Sequence, residues 1–204
     1  MPNLFVIAGP NGSGKSSFSK QLVNIDTEVF DGDKYVSDLK KEYPEIGSDV
    51  LQERVNEYYF IEAKEKAIKQ NKDFAFETNF SSANPTASLS QFKDAGYWGH
   101  LLFLGINSLE ESIARVALRV KFGGHRVSED SIKYNFEYGY KNLLEYFNEF
   151  DSVTVYSNSI ATDELLTFPI DLFKWEKNQL TSFSPEMPDW AKSIFDVFKN
   201  TTRF

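Results

Sequence analysis

The chain of 204 residues contains no cysteine, which excludes disulfides, thiolate metal sites and a cysteine nucleophile. Its two histidines, His100 and His125, are too few for zinc binding of the Cys/His type. Positive charge is also scarce. The 22 Lys and Arg face 30 Asp and Glu, a formal net charge of -8, and such a balance argues against a broad nucleic-acid or anionic-membrane surface. Any phosphate must therefore be held by a local basic cluster. No apolar run approaches the ~20 residues of a membrane helix. An apolar strand pattern begins within three residues of Met1, leaving no room for a signal peptide and giving the expectation of a cytoplasmic protein. Repeats, low-complexity tracts and Pro/Ser-rich linkers are missing too, so one domain is expected.

What is present is ordinary in bulk and specific in detail. Hydrophobic residues make up 41% and charged residues 25%, which suits a globular domain with a sizeable core. Nineteen Phe and ten Tyr read as large core and amphipathic side chains rather than a base-stacking surface. Near the start, Gly9-Pro10-Asn11-Gly12-Ser13-Gly14-Lys15-Ser16 fits G-x-x-x-x-G-K-[ST] and follows the apolar run Asn3 to Ala8. Glycines let such a backbone curl until several N–H groups point at a polyphosphate, and the next helix adds its positive N-terminal end. In this reading residues 9 to 17, Ser17 included, hold ATP; Lys15 reaches the β- and γ-phosphates and Ser16 ligates Mg2+.

Beyond this loop the pattern alternates between strands and helices. Strands are expected at residues 28–31, 73–77, 97–104 and 152–156, and helices at 16–23, 35–43, 48–70, 85–95, 108–120 and from 128 onward. Five strands with intervening helices predict a parallel sheet covered on both faces, a three-layer α/β sandwich of the P-loop NTPase, kinase-like class. Residues 1–159 form the kinase-like domain, with a lid at about 121–130. Residues 160–204, with a helix expected around 189–199, are an appendage packed on the same domain.

Further polar groups fall where an open α/β sheet binds ligands, beyond the carboxyl ends of its strands. Asp31 and Asp33 follow the second strand; a carboxylate there accepts the proton of an attacking hydroxyl, holds Mg2+ through water, or merely caps a helix. Glu77-Thr78-Asn79 follows the third strand and lines an acceptor pocket, places Glu77 in the magnesium-side role of a Walker B acid, or simply begins a loop. Three of the five arginines, Arg115, Arg119 and Arg126, lie within twelve residues around Gly123-Gly124-His125. Arg115 has a helix partner in Glu111, four residues earlier, whereas Arg119 has only the like-charged Arg115 at that spacing. A glycine-hinged segment carrying Arg would make a lid that neutralises a transferring phosphoryl group. The plainer reading is a solvated helix end. His100, inside an apolar strand, reads as structural; His125 falls in the lid.

Taken in order, the P-loop, Asp31-Gly32-Asp33, Phe76-Glu77-Thr78, Gly96-Tyr97, the Arg115 to Val120 stretch, Gly123-Gly124-His125 and Tyr156-Ser157-Asn158-Ser159 resemble the zeta toxin-like family of P-loop kinases over residues 3–159. The resemblance implies a five-stranded parallel core, ATP with Mg2+, and phosphorylation of the amino sugar of UDP-N-acetylglucosamine. It implies Asp33 as the base, Glu77, Thr78 and Asn79 at the acceptor, Arg119 as the lid cation with Arg126 nearby, and an antitoxin protein as a partner. One position departs. Where the family has an Arg after the Ile of the next helix, Ile132 is followed by Asn135, leaving Lys133 or Arg126 as electrostatic substitutes. Two alternatives accompany this reading: a kinase for another small acceptor, and an ATP-binding switch or interaction protein with little turnover.

Overall fold

The computed structural model describes residues 1–124, 126–159 and 168–201. Seven strands form one sheet in the order β2-β3-β1-β4-β5-β6-β7, where β1 is Asn3–Ala8, β2 Glu28–Phe30, β3 Phe74–Thr78, β4 Trp98–Gly105, β5 Ser152–Ser157, β6 Ile170–Glu176 and β7 Gln179–Phe183. The first five in chain order are mutually parallel, as expected. The last two are antiparallel additions. The five-stranded parallel sheet anticipated from the sequence is thus a seven-stranded mixed sheet. The difference arises because residues 170–183 alternate too irregularly to read as strands; Lys177 and Asn178 take φ of 50 and 64° in a two-residue turn suited to a tight hairpin.

Strand alternation assigns the two faces. Leu4, Val6 and Ala8 of β1 and Leu101 and Phe103 of β4 enter one core; Ile7, Leu102 and Leu104 enter the other. The larger core is covered by α2 (Gly32–Glu42), α3 (Ser48–Arg54), α4 (Phe60–Gln70), α5 (Asn84–Asp94), α7 (Glu129–Tyr146) and α8 (Asp189–Thr201), and the smaller by α1 (Lys15–Leu22). The remaining helix, α6 (Leu109–Lys121), starts at Ser108, whose side chain accepts from the Glu111 N–H, the cap its sequence predicts. The helix anticipated over 48–70 runs through as α3, a π-helical turn at Val55–Tyr59, and α4; the Phe60 N–H reaches back five residues to the Val55 carbonyl.

α1 leaves β1 toward one face and α5 leaves the neighbouring, parallel β3 toward the other, so the connections diverge between β1 and β3. A crevice opens at such a point beyond the carboxyl ends of the strands. The P-loop and residues 77–79 meet there. His100 packs in β4 against Phe5, with Ser152 Oγ at 2.6 Å and Asn3 Oδ1 at 3.0 Å, the structural histidine its context suggests. His125 lies outside the described residues.

The C-terminal segment closes the larger core. Phe198 of α8 is fully buried, stacks on Phe147 with centroids 3.9 Å apart, and meets Phe173 and Trp175 edge-on. Truncating it should cost about 3–5 kcal/mol, the range for emptying a packed aromatic site. Urea unfolding of Phe198→Ala is therefore expected to show one transition at a much lower midpoint, not early loss of a separate C-terminal unit.

Candidate active site

A P-loop must aim its N–H groups inward at a ligand, so its carbonyls face outward and need partners within the protein. Each carbonyl from Gly9 to Gly14 has one. Lys15 Nζ donates to the Gly9 carbonyl at 2.7 Å and to that of Pro10 at 3.1 Å. Ser112 Oγ donates to the Asn11 carbonyl at 2.6 Å, and Arg115 to that of Gly12 at 3.2 Å. Asn158 Nδ2 reaches the Ser13 carbonyl at 2.7 Å, and the Gly14 carbonyl accepts from the first turn of α1. Two glycines are obligatory for this packing. A Cβ on Gly9, at φ 148°, would strike the Leu104 carbonyl, and one on Gly14, at φ 88°, would strike the Asn158 amide.

The loop borders a cleft of about 1160 Å3. Gly12, Gly14, Lys15, Ser16 and Ser17 line it, together with Asp31, Asp33, Glu77, Thr78, Asn79 and Arg119. The structure therefore brings most of the sequence-derived candidates to one place; Gly9, Pro10 and Ser13 of the loop stand behind the lining, and two cations lie away from it. Arg126 is exposed and lies outside the lining, as does Lys133. Asp31 caps α2 by accepting from the Lys34 N–H at 3.1 Å, which leaves Asp33 in that helix's first turn. Thr78 Oγ1 accepts from the Phe80 N–H at 3.0 Å, and Asn79 Oδ1 accepts from Lys15 at 3.0 Å, so Asn79 serves the P-loop lysine directly.

Sheet register explains the electrostatics. Phe30 of β2 pairs with Phe76 of β3, which sets Asp31 beside Glu77. Burial and then Asp31 raise the Glu77 carboxyl above its usual range, against hydrogen bonds from Ser16 and Ser19 and the charge of Lys15. Ser16 Oγ donates to Glu77 Oε2 at 2.7 Å, joining the hydroxyl expected to ligate Mg2+ to a carboxylate for which a magnesium-side role was one of the alternatives. Burial lowers the Lys15 ammonium, aided by Arg119 and opposed by Glu77, Asp33 and Asp31. Among the described residues no group of three His, Cys, Asp or Glu could hold a metal by itself. An ion here would need further oxygens from a bound phosphate, the usual habit of Mg2+. For the nucleotide, the fit lies in Gly12, Gly14, Lys15 and Ser16 along the cleft; the buried Ser13 hydroxyl, without a partner among the described residues, is turned away from it toward Gly9.

Sequence reasoning missed the outer partners of the loop. Arg115 does pair with Glu111, at 2.6 Å, but its second role is to hold the Gly12 and Asn158 carbonyls, the latter at 2.5 Å. Asn135, where a family arginine was expected, donates to Asn11 Oδ1 at 2.8 Å and accepts from Ser81 Oγ at 2.7 Å. It ties α7 to the P-loop and to the loop after β3. The run Tyr156 to Ser159 carried the only sequence hint of Asn158.

A strand opening through a glycine-rich loop into α1, with Glu77 at the end of β3 beside it and Asp31 at the end of β2 one strand further out, is the arrangement of a P-loop fold of kinase-like topology. The chain is 33% identical over 132 residues to an uncharacterized protein of Haemophilus influenzae, which covers 63% of this chain and 88% of that one, and it belongs to one family with that protein. No family model matches it. Among solved structures, one chain of the PezAT chromosomal toxin-antitoxin system of Streptococcus pneumoniae aligns at TM-score 0.62 and 16% identity, over 98% of this chain and 85% of that one. One chain of the AvrRxo1-ORF1:-ORF2 complex with ATP aligns at TM-score 0.63 and 14% identity, over 97% of this chain and 64% of that one. This chain thus spans less than two thirds of the AvrRxo1 chain. These likenesses establish the fold, that of the zeta toxin-like P-loop kinases.

Two outcomes follow from the site. Arg115→Ala strips the Gly12 and Asn158 carbonyls of their donor, so it should cost ~1–3 kcal/mol in thermal unfolding and weaken nucleotide binding. The helix pair alone would give only about 0.2–0.5 kcal/mol. Arg115→Lys should rescue little, because one ammonium cannot reproduce the guanidinium fork. For Glu77, a carboxyl raised on folding opposes stability once ionised. That cost is fully present above the raised value and vanishes below the ordinary 4.5. Glu77→Gln should therefore raise the melting temperature at about pH 8, and the gain should disappear by about pH 4.

Proposed function

We propose that the chain is an ATP-dependent small-molecule kinase that transfers the γ-phosphoryl group to a hydroxyl, with a UDP-amino sugar such as UDP-N-acetylglucosamine as the preferred acceptor. The observation that carries this reading is the meeting of Lys15 and Ser16 with Asp31, Asp33 and Glu77 to Asn79 in one cleft. Hydrolysis alone would need no second wall. The cleft extends past the P-loop along α3, α4 and α5, where Gln52, Asn56, Lys64, Ser88 and Gln91 line it, and this supports an acceptor.

In this reading the N–H groups of the cleft-lining Gly12, Gly14, Lys15 and Ser16, with the α1 N-terminus, take the polyphosphate, while the Ser13 N–H stays on the Pro10 carbonyl. Bound nucleotide draws the Lys15 ammonium from the Gly9 and Pro10 carbonyls to the β/γ-phosphates. Ser16 Oγ, with Glu77 behind it, would offer an oxygen to Mg2+, which would supply neutralisation of phosphate charge. Asp33 accepts the proton of the acceptor hydroxyl as its oxygen bonds to the γ-phosphorus. The bond from that phosphorus to the β-side oxygen breaks, and ADP leaves. Arg119, which lines the cleft near Lys15, neutralises the charge that develops.

The test is ADP release by purified protein with and without UDP-N-acetylglucosamine. Stimulation is expected, and it should be lost with Lys15→Ala. Asp33→Asn should keep ATP binding while losing on the order of 10²-fold or more in rate, with Asp31→Asn milder. ADP release indifferent to every acceptor would leave an ATPase, and binding without turnover a switch. A protein partner in the antitoxin role is a second proposal, supported by the similarity to the PezAT chain; co-purification of a neighbouring gene product that blocks nucleotide binding would bear it out.

A further inference from the structure

The wall of the cleft made by α3, the π turn, α4 and α5 contains none of the P-loop residues, and its one lysine, Lys64, has no carboxylate within ion-pair reach among the described residues. Lys64 is half-buried. Its Nζ lies 3.3 Å from Ser88 Oγ and 4.8 Å from the centroid of the Phe60 ring. Burial pushes its ammonium below the ordinary lysine value, against only the raising effect of its helix neighbour Glu65. At half burial the ammonium has given up part of its hydration, and an aromatic face offsets only part of that loss.

Helix geometry adds an independent reason. Gln52, Asn56, Phe60 and Lys64 all line the cleft although they are spaced by four. In a regular α-helix of 3.6 residues per turn, four residues overshoot a turn by about 40°, so three steps would carry Lys64 about 120° away from Gln52. The π turn at Val55–Tyr59 absorbs one residue, about 100° of that drift. The helix is thus built so that two amides, an aromatic ring and a cation share one face of the cleft.

We propose that Lys64, with Ser88 beside it and Phe60 beneath it, is the recognition point for an anionic oxygen group, phosphate or carboxylate, on the acceptor, and that it sets a preference for charged over neutral acceptors. A compact ammonium with a neighbouring hydroxyl suits such a group as a point charge. Calling the ligand an acceptor rests on the kinase reading; the anion site itself is a claim about binding.

The test uses the full chain carrying Lys15→Ala, so that the P-loop does not compete for the anion. N-acetylglucosamine, N-acetylglucosamine 1-phosphate and glucuronate are titrated calorimetrically, with and without Lys64→Gln; Lys64→Met replaces it if the Gln variant melts early. At least one charged sugar should bind about tenfold or more tightly than the neutral one. Lys64→Gln should abolish that margin with the melting temperature unchanged, and Lys64→Arg should keep part of it. The phosphate and carboxylate arms show which group is taken. A margin that survives Lys64→Gln, or no margin in the parent, overturns the proposal. Acceptor-dependent ADP release by the wild-type chain is read separately, and its absence beside an intact Lys64-dependent margin would sink the kinase reading while leaving the anion site.

Discussion

Six consecutive carbonyls, Gly9 to Gly14, have to be satisfied from outside the loop so that its N–H groups can face a ligand, and much of the molecule is arranged around that demand. The donors come from α1, α6 and the chain just after β5. Asn135 of α7 adds a side-chain bond to Asn11. Each donor is half-buried or buried, where an unmade hydrogen bond costs far more than a made one gains. Apart from Lys15, the side chains that hold the loop from behind, Ser112, Arg115, Asn158 and Asn135, are distinct from those assigned to the phosphate.

The same economy governs the carboxylates. Glu77 and Asp31 stand side by side because β2 and β3 are in register; burial and the Asp31 charge raise the Glu77 carboxyl, and Lys15 opposes them. In an acidic protein with few arginines, four cations, Lys15, Lys64, Arg115 and Arg119, line the cleft. Arg115 braces the loop, Arg119 lines the cleft, and Lys64 stands on the opposite helical wall.

Much of this was legible in the sequence because the signals are local. The P-loop follows from fixed glycines, the helix starts from Ser108 and Ser128, and the five parallel strands from apolar runs at regular spacing. The catalytic-side cluster was legible because residues just past strand ends converge in any open α/β sheet. What escaped depends on long-range contact. The run around Asn158 hints at importance without saying why, nothing near Ser112 does even that, and both hold a loop more than 100 residues away. The edge hairpin β6-β7 has no clean alternation, and the π turn leaves no mark in composition. Asn135 looked like the loss of an arginine, yet its amide makes two bonds that bind three segments together, a role only the folded chain defines.

The sequence separations of those anchoring bonds have a kinetic meaning. Asn158 and Ser13 are 145 residues apart, Arg115 and Gly12 103, and Ser112 and Asn11 101. Contacts of such span form only after the intervening chain has lost most of its freedom. During synthesis the glycine-rich segment emerges first, yet its carbonyls find their last partner only when β5 has docked beside β4. Competence to bind nucleotide should therefore arrive late in folding, as a property of the finished sheet, and a nascent or partly unfolded chain would carry the motif without the site.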